Sequence, residues 1–242
     1  MKELLIIIPV YNEEMNIVKV INEINRDIND ADILVVNDCS SDSTESILID
    51  LNINYINTPF NMGYSAAVQT GFKYAYEKGY EYVAQFDGDG QHIASELKKM
   101  YQLIKKDNVD IVIGSRFVED TGYKHSIMKK IAIKLFKKII KVVCVADITD
   151  PTSGLQILNR NVVSRYAKMN NYPEYPDANL IIEMILLGYR IEEISVNMRE
   201  REYGESMHAG ILEPFFYMFR MMYSIFVILV KYKGIKKVKK FK

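Results

Sequence analysis

The feature that most limits what this chain can fold into is a series of short, mostly apolar runs separated by stretches with helical spacing. Leu4 to Ile8, Ile33 to Val36, Tyr82 to Phe86 and Val109 to Ile113 are each too short for a stable helix and rich in branched or aromatic residues. Runs of this kind are strands buried on both faces. A weaker strand covers Ile53 to Ile56, another Ile191 to Val196, and a short one follows the turn-rich stretch Asp150 to Gln156. Between them, Ile17, Val20, Ile21 and Ile24 recur at helical spacing. Helices are also expected from Ala66 through Tyr74, from Ser95 to Lys105 and from Ala178 to Leu187. Strands alternating with helices imply an α/β fold with a mainly parallel central sheet and right-handed crossovers.

Open α/β sheets bind ligands beyond the carboxyl ends of their strands. In this chain those ends are polar or charged. Glu13 follows the first strand, Asp38 the second, Asp87 and Asp89 the fourth, and Arg116 the fifth. No G-x-G-x-x-G follows the first strand, so the dinucleotide fingerprint is absent. The stretch Asp87-Gly88-Asp89-Gly90-Gln91-His92 sets two carboxylates one residue apart. Hard cations such as Mg²⁺ or Mn²⁺ bind one or two carboxylates together with phosphate oxygens. The pair therefore suits a metal meeting a diphosphate, with Asp38 suited to an imide N–H of a base and Glu13 to a ribose hydroxyl. Each has a plainer alternative. Asp87 and Asp89 can belong to a solvated Asp-Gly turn, Glu13 can favour a helix N-terminus, and Asp38 can shape its own loop.

Formal net charge is zero, but the charge is unevenly spread. Lys129 to Lys141 holds six lysines and Lys231 to Lys242 seven, with no acid in either block. Cys39 and Cys144 are far apart and form neither a zinc motif nor a disulfide framework. His92, His125 and His208 lack metal-ligand spacing, and His92 is expected only to shape the Asp87 loop. No secretory signal peptide is expected, because the chain opens directly on a strand.

IIIPVYNEE, VVNDCSSDST, NMGYSAAVQTGFKYA, QFDGDGQH and GSRF, in this order and spacing, resemble the family-2 glycosyltransferases with a GT-A nucleotide-sugar-binding fold. Within that family the chain is most similar to the dolichol- and polyprenyl-phosphate sugar synthases. The resemblance spans residues 1–210, the expected catalytic domain. It implies that Pro9, Tyr11, Glu13 and Asp38 contact the nucleotide and that Asp87 touches the nucleotide sugar. It implies that Asp89 and Gln91 ligate Mg²⁺ or Mn²⁺, and that Arg116 and Arg201 contact phosphates. Two positions depart from the family pattern: Ser65 stands where a second glycine often follows Gly63, and Met207 where a lysine often closes the segment from Arg201.

Asp177 lies where many family members place the base that deprotonates an alcohol acceptor. Tyr175-Pro176-Asp177 before an apolar run is equally a helix N-cap signal. Arg199 and Arg201 read as a phosphate clamp, or as surface ion pairs with Glu200 and Glu202. A basic amphipathic helix is expected over about 126–143, with Ile127, Ile131, Leu135, Ile139 and Val142 as its apolar stripe. It suits a membrane surface, the alternative being an ordinary helix packed on the core. Residues 211–242 form a hydrophobic helix and a lysine-rich tail, also expected to be membrane-associated. The clean apolar part, Met221 to Val230, is short against the ~20 residues a spanning helix needs. Entering the bilayer partway, docking on a small membrane protein and burial in the core are the other readings of that tail, and a homo-oligomer is a further partner expectation for the chain.

These features predict an inverting, metal-dependent glycosyltransferase acting at the cytoplasmic face of the membrane. The expected donor is a UDP- or GDP-sugar, the acceptor polyprenyl phosphate and the transferred group a hexosyl or N-acetylhexosaminyl unit. The alternatives are a transferase acting on a glycan hydroxyl with Asp177 as base, and a non-catalytic nucleotide-sugar-binding module. Nucleic acid is not an expected partner, because the lysines flank apolar faces without interleaved aromatic motifs. No Q-x-x-R-W sequence is present, which disfavours processive polysaccharide synthases.

Overall fold

The computed structural model describes residues 2–106, 108–118, 127–203 and 213–233. The segment after Tyr203 that carries Met207, the histidines His125 and His208, the start of the hydrophobic tail and the lysines beyond 233 lie outside the described residues.

In chain order the elements are β1 (Leu4–Val10), α1 (Ile17–Asp27), β2 (Ala31–Asn37), α2 (Thr44–Asp50), β3 (Tyr55–Asn57), α3 (Tyr64–Lys78), β4 (Tyr82–Gln85), α4 (Ala94–Lys106), β5 (Ile111–Ser115), α5 (Ile127–Cys144), β6 (Gln156–Asn159), α6 (Arg160–Ala167), α7 (Ala178–Leu186), β7 (Ile191–Ser195) and α8 (Glu213–Lys231). The strands form one sheet in the order β3-β2-β1-β4-β6-β5-β7.

β1 shows why its sequence is unbroken by polar residues. Leu5 and Ile7 face a core layer shared with α3, α5, α6, α7 and α8, whereas Leu4, Ile6 and Ile8 face a second layer with α1 and α4. Both faces of the strand are covered, so its period-two pattern is apolar twice over. Each fully buried Leu or Ile contributes roughly 1.5–3 kcal/mol. Gly71 lets α3 lie close on β1, since a Cβ there would sit 2.4 Å from Ile7 Cγ2.

β6 is antiparallel to both neighbours, with Gln156 opposite Ile113 and Leu158 opposite Ile111. The chain leaves β5 at its carboxyl end, passes through α5, and re-enters the sheet at the same rim. The loop before β6 therefore lies beside the strand ends, which puts Gly154 next to Asp87 and Asp150 and Thr152 next to Arg116.

Sequence reasoning placed α5 correctly but chose the wrong stripe. The buried residues are Ala132, Ile133, Phe136 and Ile140, whereas Ile131 and Val142 are 50% and 66% exposed. Of the rest of the chosen stripe, Leu135 and Ile139 are half-buried, with Ile139 packed against the core, so only Ile131 and Val142 stand out beside Lys134, Lys138 and Lys141. α8 packs on α5 and α7 through Tyr217, Met221, Ile225 and Ile228. Its opposite face exposes Phe215, Phe216, Phe219, Tyr223 and Phe226. Among the described residues no helix is long and apolar enough to cross a membrane.

Candidate active site

A cleft of about 1000 Å³ opens along the strand-end rim. Ligand pockets run roughly 300–1,000 Å³, so it can hold a large ligand. Pro9, Tyr11, Glu13, Asp38, Asp87, Asp89, Gln91, Arg116, Asp177 and Arg201 all line it. The parallel register of β1, β2 and β4 brings the first six of these together, although they are spread over some eighty residues of sequence.

The loops after β1 and β2 clasp each other. Asn12 accepts from the Ser41 amide at 2.8 Å and donates its own amide to Ser40 Oγ at 2.9 Å. Asn12 and Cys39 both take positive φ, at 56° and 59°, a conformation Asn tolerates better than most residues. Asp38 is 3% exposed. Its Oδ1 accepts from Thr58 Oγ1 and the Met62 amide, and its Oδ2 from the Gly63 amide at 2.7 Å. Asp38 thus builds the loop leading into α3 at the same time as it lines the cleft. The Glu13 backbone carbonyl starts α1 by accepting from the Ile17 amide, and its side chain accepts from Asn16 at 2.7 Å. Burial raises the Glu13 carboxyl above its ordinary value, the Asn16 bond lowers it in part, and the Asp89 charge raises it further.

Asp87 and Asp89 differ in their surroundings. Asp87 Oδ1 accepts from the Tyr64 hydroxyl at 2.7 Å, and His92 Nε2 lies 3.5 Å from its Oδ2. The His92 Nδ1 accepts from the Asp87 amide at 3.0 Å, so the ring hydrogen is on Nε2, facing the carboxylate. The imidazole packs edge-on against Phe86. Burial raises the Asp87 carboxyl, His92 lowers it in part and the nearby Asp89 raises it again. Asp89 accepts from the Gln91 amide at 3.0 Å and from Arg201 Nη2 at 2.5 Å. Gln91 brackets the strap that carries Arg201: its carbonyl accepts from the Arg199 amide at 2.8 Å, and its side-chain amide reaches the Arg199 carbonyl at 3.4 Å.

Arg116 reaches the cleft wall already engaged. Its Nε and Nη2 make a two-point contact with Asp150 at 2.6 and 2.8 Å, and Nη2 also approaches Thr152. Burial raises the Asp150 carboxyl, but the Arg116 guanidinium outweighs it and holds the group below its usual range. Arg199 corrects an expectation. It does not line the cleft and pairs with Glu23 at 2.7 and 3.0 Å, so Arg201 is the arginine of that strap which faces the site. Glu202 pairs with Lys19.

Asp177 occupies the N-cap position of α7, yet its side chain makes no capping bond. Asn179 accepts from the Asp177 amide, while the Asp177 carboxylate accepts from the Tyr217 hydroxyl of α8 at 2.8 Å. The cap reading therefore fails for the carboxylate, which turns toward the cleft wall formed by Tyr217 and Met218. α5 contributes Ala132 and Ile133 to the same cleft, adding apolar lining.

The residues that could hold a divalent cation offer hard oxygens: Asp89, with Asp87 and Gln91 beside it. Among the described residues no group of three or more His, Cys, Asp and Glu could hold a metal alone. This suits a cation such as Mg²⁺ or Mn²⁺ that takes much of its shell from substrate phosphates. Sequence reasoning did not single out Tyr64, Gln85, Asp150, Gly154 or Tyr217. Their importance comes from contacts across the sheet or between helices, and no local pattern marks such contacts.

An α/β sheet of this order, with a D-x-D pair and basic residues in a strand-end cleft, defines a GT-A glycosyltransferase. The chain belongs to glycosyl transferase family 2, whose family model matches residues 5–167. The UDP-N-acetylglucosamine–dolichyl-phosphate N-acetylglucosaminyltransferase of Methanococcus voltae is 28% identical over 242 residues, covering 91% of this chain and 95% of that protein. The polyprenol monophosphomannose synthase of Mycolicibacterium smegmatis is 25% identical over 219 residues, covering 85% and 81%. Among solved structures, glucosyl-3-phosphoglycerate synthase from Mycobacterium tuberculosis, in complex with Mn²⁺, UDP and glucosyl-3-phosphoglycerate, has a TM-score of 0.65 at 14% identity. That likeness covers 97% of this chain and 81% of the other; at this identity it speaks for the fold. Within the family the chain resembles the polyprenyl-phosphate sugar synthases.

Proposed function

We propose that the protein is a metal-dependent, inverting glycosyltransferase that moves a hexosyl or N-acetylhexosaminyl group from a UDP- or GDP-sugar to polyprenyl phosphate at the cytoplasmic face of the membrane. One observation carries this reading. The cleft lining combines a charged and polar set, Asp87, Asp89, Gln91 and Arg201, with apolar surface from α5 and α8, Ala132, Ile133, Tyr217 and Met218. The two kinds of lining suit a nucleotide diphosphate and a lipid-linked acceptor. The Methanococcus and Mycolicibacterium relatives, named for dolichyl-phosphate and polyprenol substrates, support it.

In this reading the acceptor's phosphate oxygen attacks the anomeric carbon from the face opposite the leaving group. The bond from that carbon to the nucleotide diphosphate breaks, and its electron pair leaves with the diphosphate. A phosphate acceptor is already anionic near neutral pH, so no side chain need remove a proton. A divalent cation, when bound, supplies positive charge at the leaving diphosphate. The residues contribute placement: Asp87 and Asp89 set the donor's charged end, Arg201 adds a cation beside them, and Arg116, fixed by Asp150, holds the wall where phosphates pass. Pro9, Tyr11, Glu13 and Asp38 bound the nucleotide end. The exposed side of α5 and the aromatic face of α8 rest on the bilayer, with lysines beside them.

A second reading has one observation in its favour. Asp177 is not spent on capping its helix, which leaves its carboxylate on the cleft wall as the base a sugar-hydroxyl acceptor needs. One experiment separates the two. Purified protein is given Mn²⁺ or Mg²⁺, a panel of radiolabelled nucleotide sugars, and undecaprenyl phosphate or glycan primers. Metal-dependent label in organic-extractable lipid, absent with Asp89→Ala, is the expected result. Label passing only to primers moves the assignment to the hydroxyl acceptor. No transfer from any donor leaves a non-catalytic binding module.

A further inference from the structure

Three polar side chains meet under the backbone of Gly154 at the floor of the cleft. The Tyr64 hydroxyl lies 2.7 Å from Asp87 Oδ1, and Gln85 Nε2 lies 2.6 Å from the same hydroxyl. A Cβ on residue 154 would sit 3.1 Å from Asp87 Oδ2, 3.3 Å from the Tyr64 hydroxyl and 3.4 Å from Gln85 Nε2. The backbone of the loop before β6 therefore closes directly over the group.

The direction of the hydrogen bonds is fixed by what each atom can do. An ionised carboxylate only accepts, and a phenol carries a single proton. The Tyr64 hydroxyl can serve both neighbours only by donating to Asp87 and accepting from the Gln85 amide nitrogen. The order is thus Gln85 to Tyr64 to Asp87. On the other side of the carboxylate stands the His92 Nε2–H, oriented by the bond from the Asp87 amide to Nδ1. The terminal torsion of an aspartate is broad when nothing restrains it. Here one oxygen faces a phenol and the other an imidazole, so the carboxylate plane is set before any ligand arrives.

We propose that Tyr64 is a positioning residue for sugar transfer, holding the Asp87 carboxylate in the one orientation that serves the donor's metal-bound diphosphate. The proposal rests on the reading above that Asp87 faces the donor. Tyr64 acts through Asp87, at the first residue of α3. Gly63, just before it, is held by Asp38, so the nucleotide end and the diphosphate end of the cleft share this short segment.

Tyr64→Phe keeps the ring and removes the one bond at issue. Two quantities report on it. The first is the affinity for Mn²⁺ in the presence of UDP or GDP, read from free Mn²⁺ by electron paramagnetic resonance. The second is kcat for transfer. The expected result is about tenfold weaker Mn²⁺ binding and a kcat lower by about 10- to 100-fold. The acceptor KM and the melting temperature should stay close to wild type. Gln85→Met leaves Tyr64 able to donate and should cost less than threefold in either quantity. Gly154→Ala pushes a methyl group onto all three side chains and should reproduce the Tyr64→Phe defect, which keeps the idea testable if the phenylalanine variant folds poorly. Wild-type Mn²⁺ affinity and kcat in Tyr64→Phe would overturn the proposal, as would equal losses in Tyr64→Phe and Gln85→Met, which mark simple packing. A wild-type protein that neither binds Mn²⁺ with either nucleotide nor transfers sugar refutes the functional reading itself, a result visible before any variant is compared.

Discussion

Asp89 is nearly buried and already has an arginine against one oxygen and a backbone amide against the other. A cation arriving at that carboxylate competes with Arg201, which is then released beside the diphosphate it is proposed to neutralise. Asp89→Ala removes the carboxylate and with it the ion pair to Arg201. Transfer should fall at least ~100-fold, and added Mn²⁺ should restore none of it; activity within tenfold of wild type at saturating Mn²⁺ would remove Asp89 from the site. Asp177 separates the two acceptor classes. Asp177→Asn keeps a group that can accept from Tyr217 but cannot take a proton. With a phosphate acceptor the expected loss is less than about tenfold, whereas a hydroxyl acceptor needing a base should show a loss on the order of 10²–10⁴. Transfer rates to undecaprenyl phosphate and to glycan primers decide between them. Asp89 was legible in the sequence because it follows a strand end, Asp177 only through the family resemblance. The sequence could not show that Asp38 is tied into its loop by three donors, that Arg116 is matched by Asp150, or that Arg199 turns away to Glu23. Those facts depend on segments brought together only by the fold.

At the level of elements, what could be read depended on whether the pattern was local. β1 and the Ile33–Val36 stretch of β2 were plain because both faces are covered and every position there is apolar. α2 and α6 were missed: each is short, and α6 is started by Asn159, which accepts from the Val162 amide. The reversed direction of β6 follows from where the chain re-enters the sheet, which spacing alone does not state. α5 carries Ile, Leu or Val on most of its surface, so the stripe came out one position off, and the difference is informative. The core uses Ala132, Phe136 and Ile140, leaving Ile131 and Val142 exposed beside lysines. α8 likewise turns Phe219 and Phe226 outward at 73% and 63% exposure. If these faces rest on lipid, Phe219→Ser with Phe226→Ser should weaken binding to anionic vesicles about tenfold or more without lowering the melting temperature, since neither ring supports the core. Lys134→Glu with Lys138→Glu should weaken it too, and that effect should shrink at high salt because each lysine contributes on the order of 1 kcal/mol through a screened field. Cosedimentation with vesicles at two salt concentrations measures both; unchanged binding in the phenylalanine pair would rule out the aromatic face.

Across the whole molecule, buried carboxylates tie distant parts of the chain together. Glu23 on α1 holds Arg199, Asp150 holds Arg116, and Glu183 on α7 meets Arg165 of α6 together with Lys231 and Tyr232 at the end of α8. For all three, burial alone raises the carboxyl. Hydrogen bonds and nearby positive charge outweigh it, and each ends below its ordinary value. A carboxyl depressed in the folded state adds stability that is complete above its unfolded value, near 3.9–4.3, and is lost as pH falls through the lower folded value. The stability these links add should therefore be complete from about pH 5 upward and begin to decline below about pH 4, the links themselves breaking only near the lower folded values. Glu183→Gln tests the most connected of them. Removing one partner of a fully buried pair costs about 3–5 kcal/mol. Lys231 and Arg165 are partly in water and glutamine keeps some hydrogen bonds, so about 1–2 kcal/mol is expected at pH 7. Because protonated Glu183 resembles glutamine in charge, the gap between the variant and wild type should narrow as pH falls below about 4 toward the lowered folded value. Thermal melts from pH 3 to 7 show this directly, and a gap of constant size across that range would mean that Glu183 stabilises the junction of α6, α7 and α8 by shape rather than by charge.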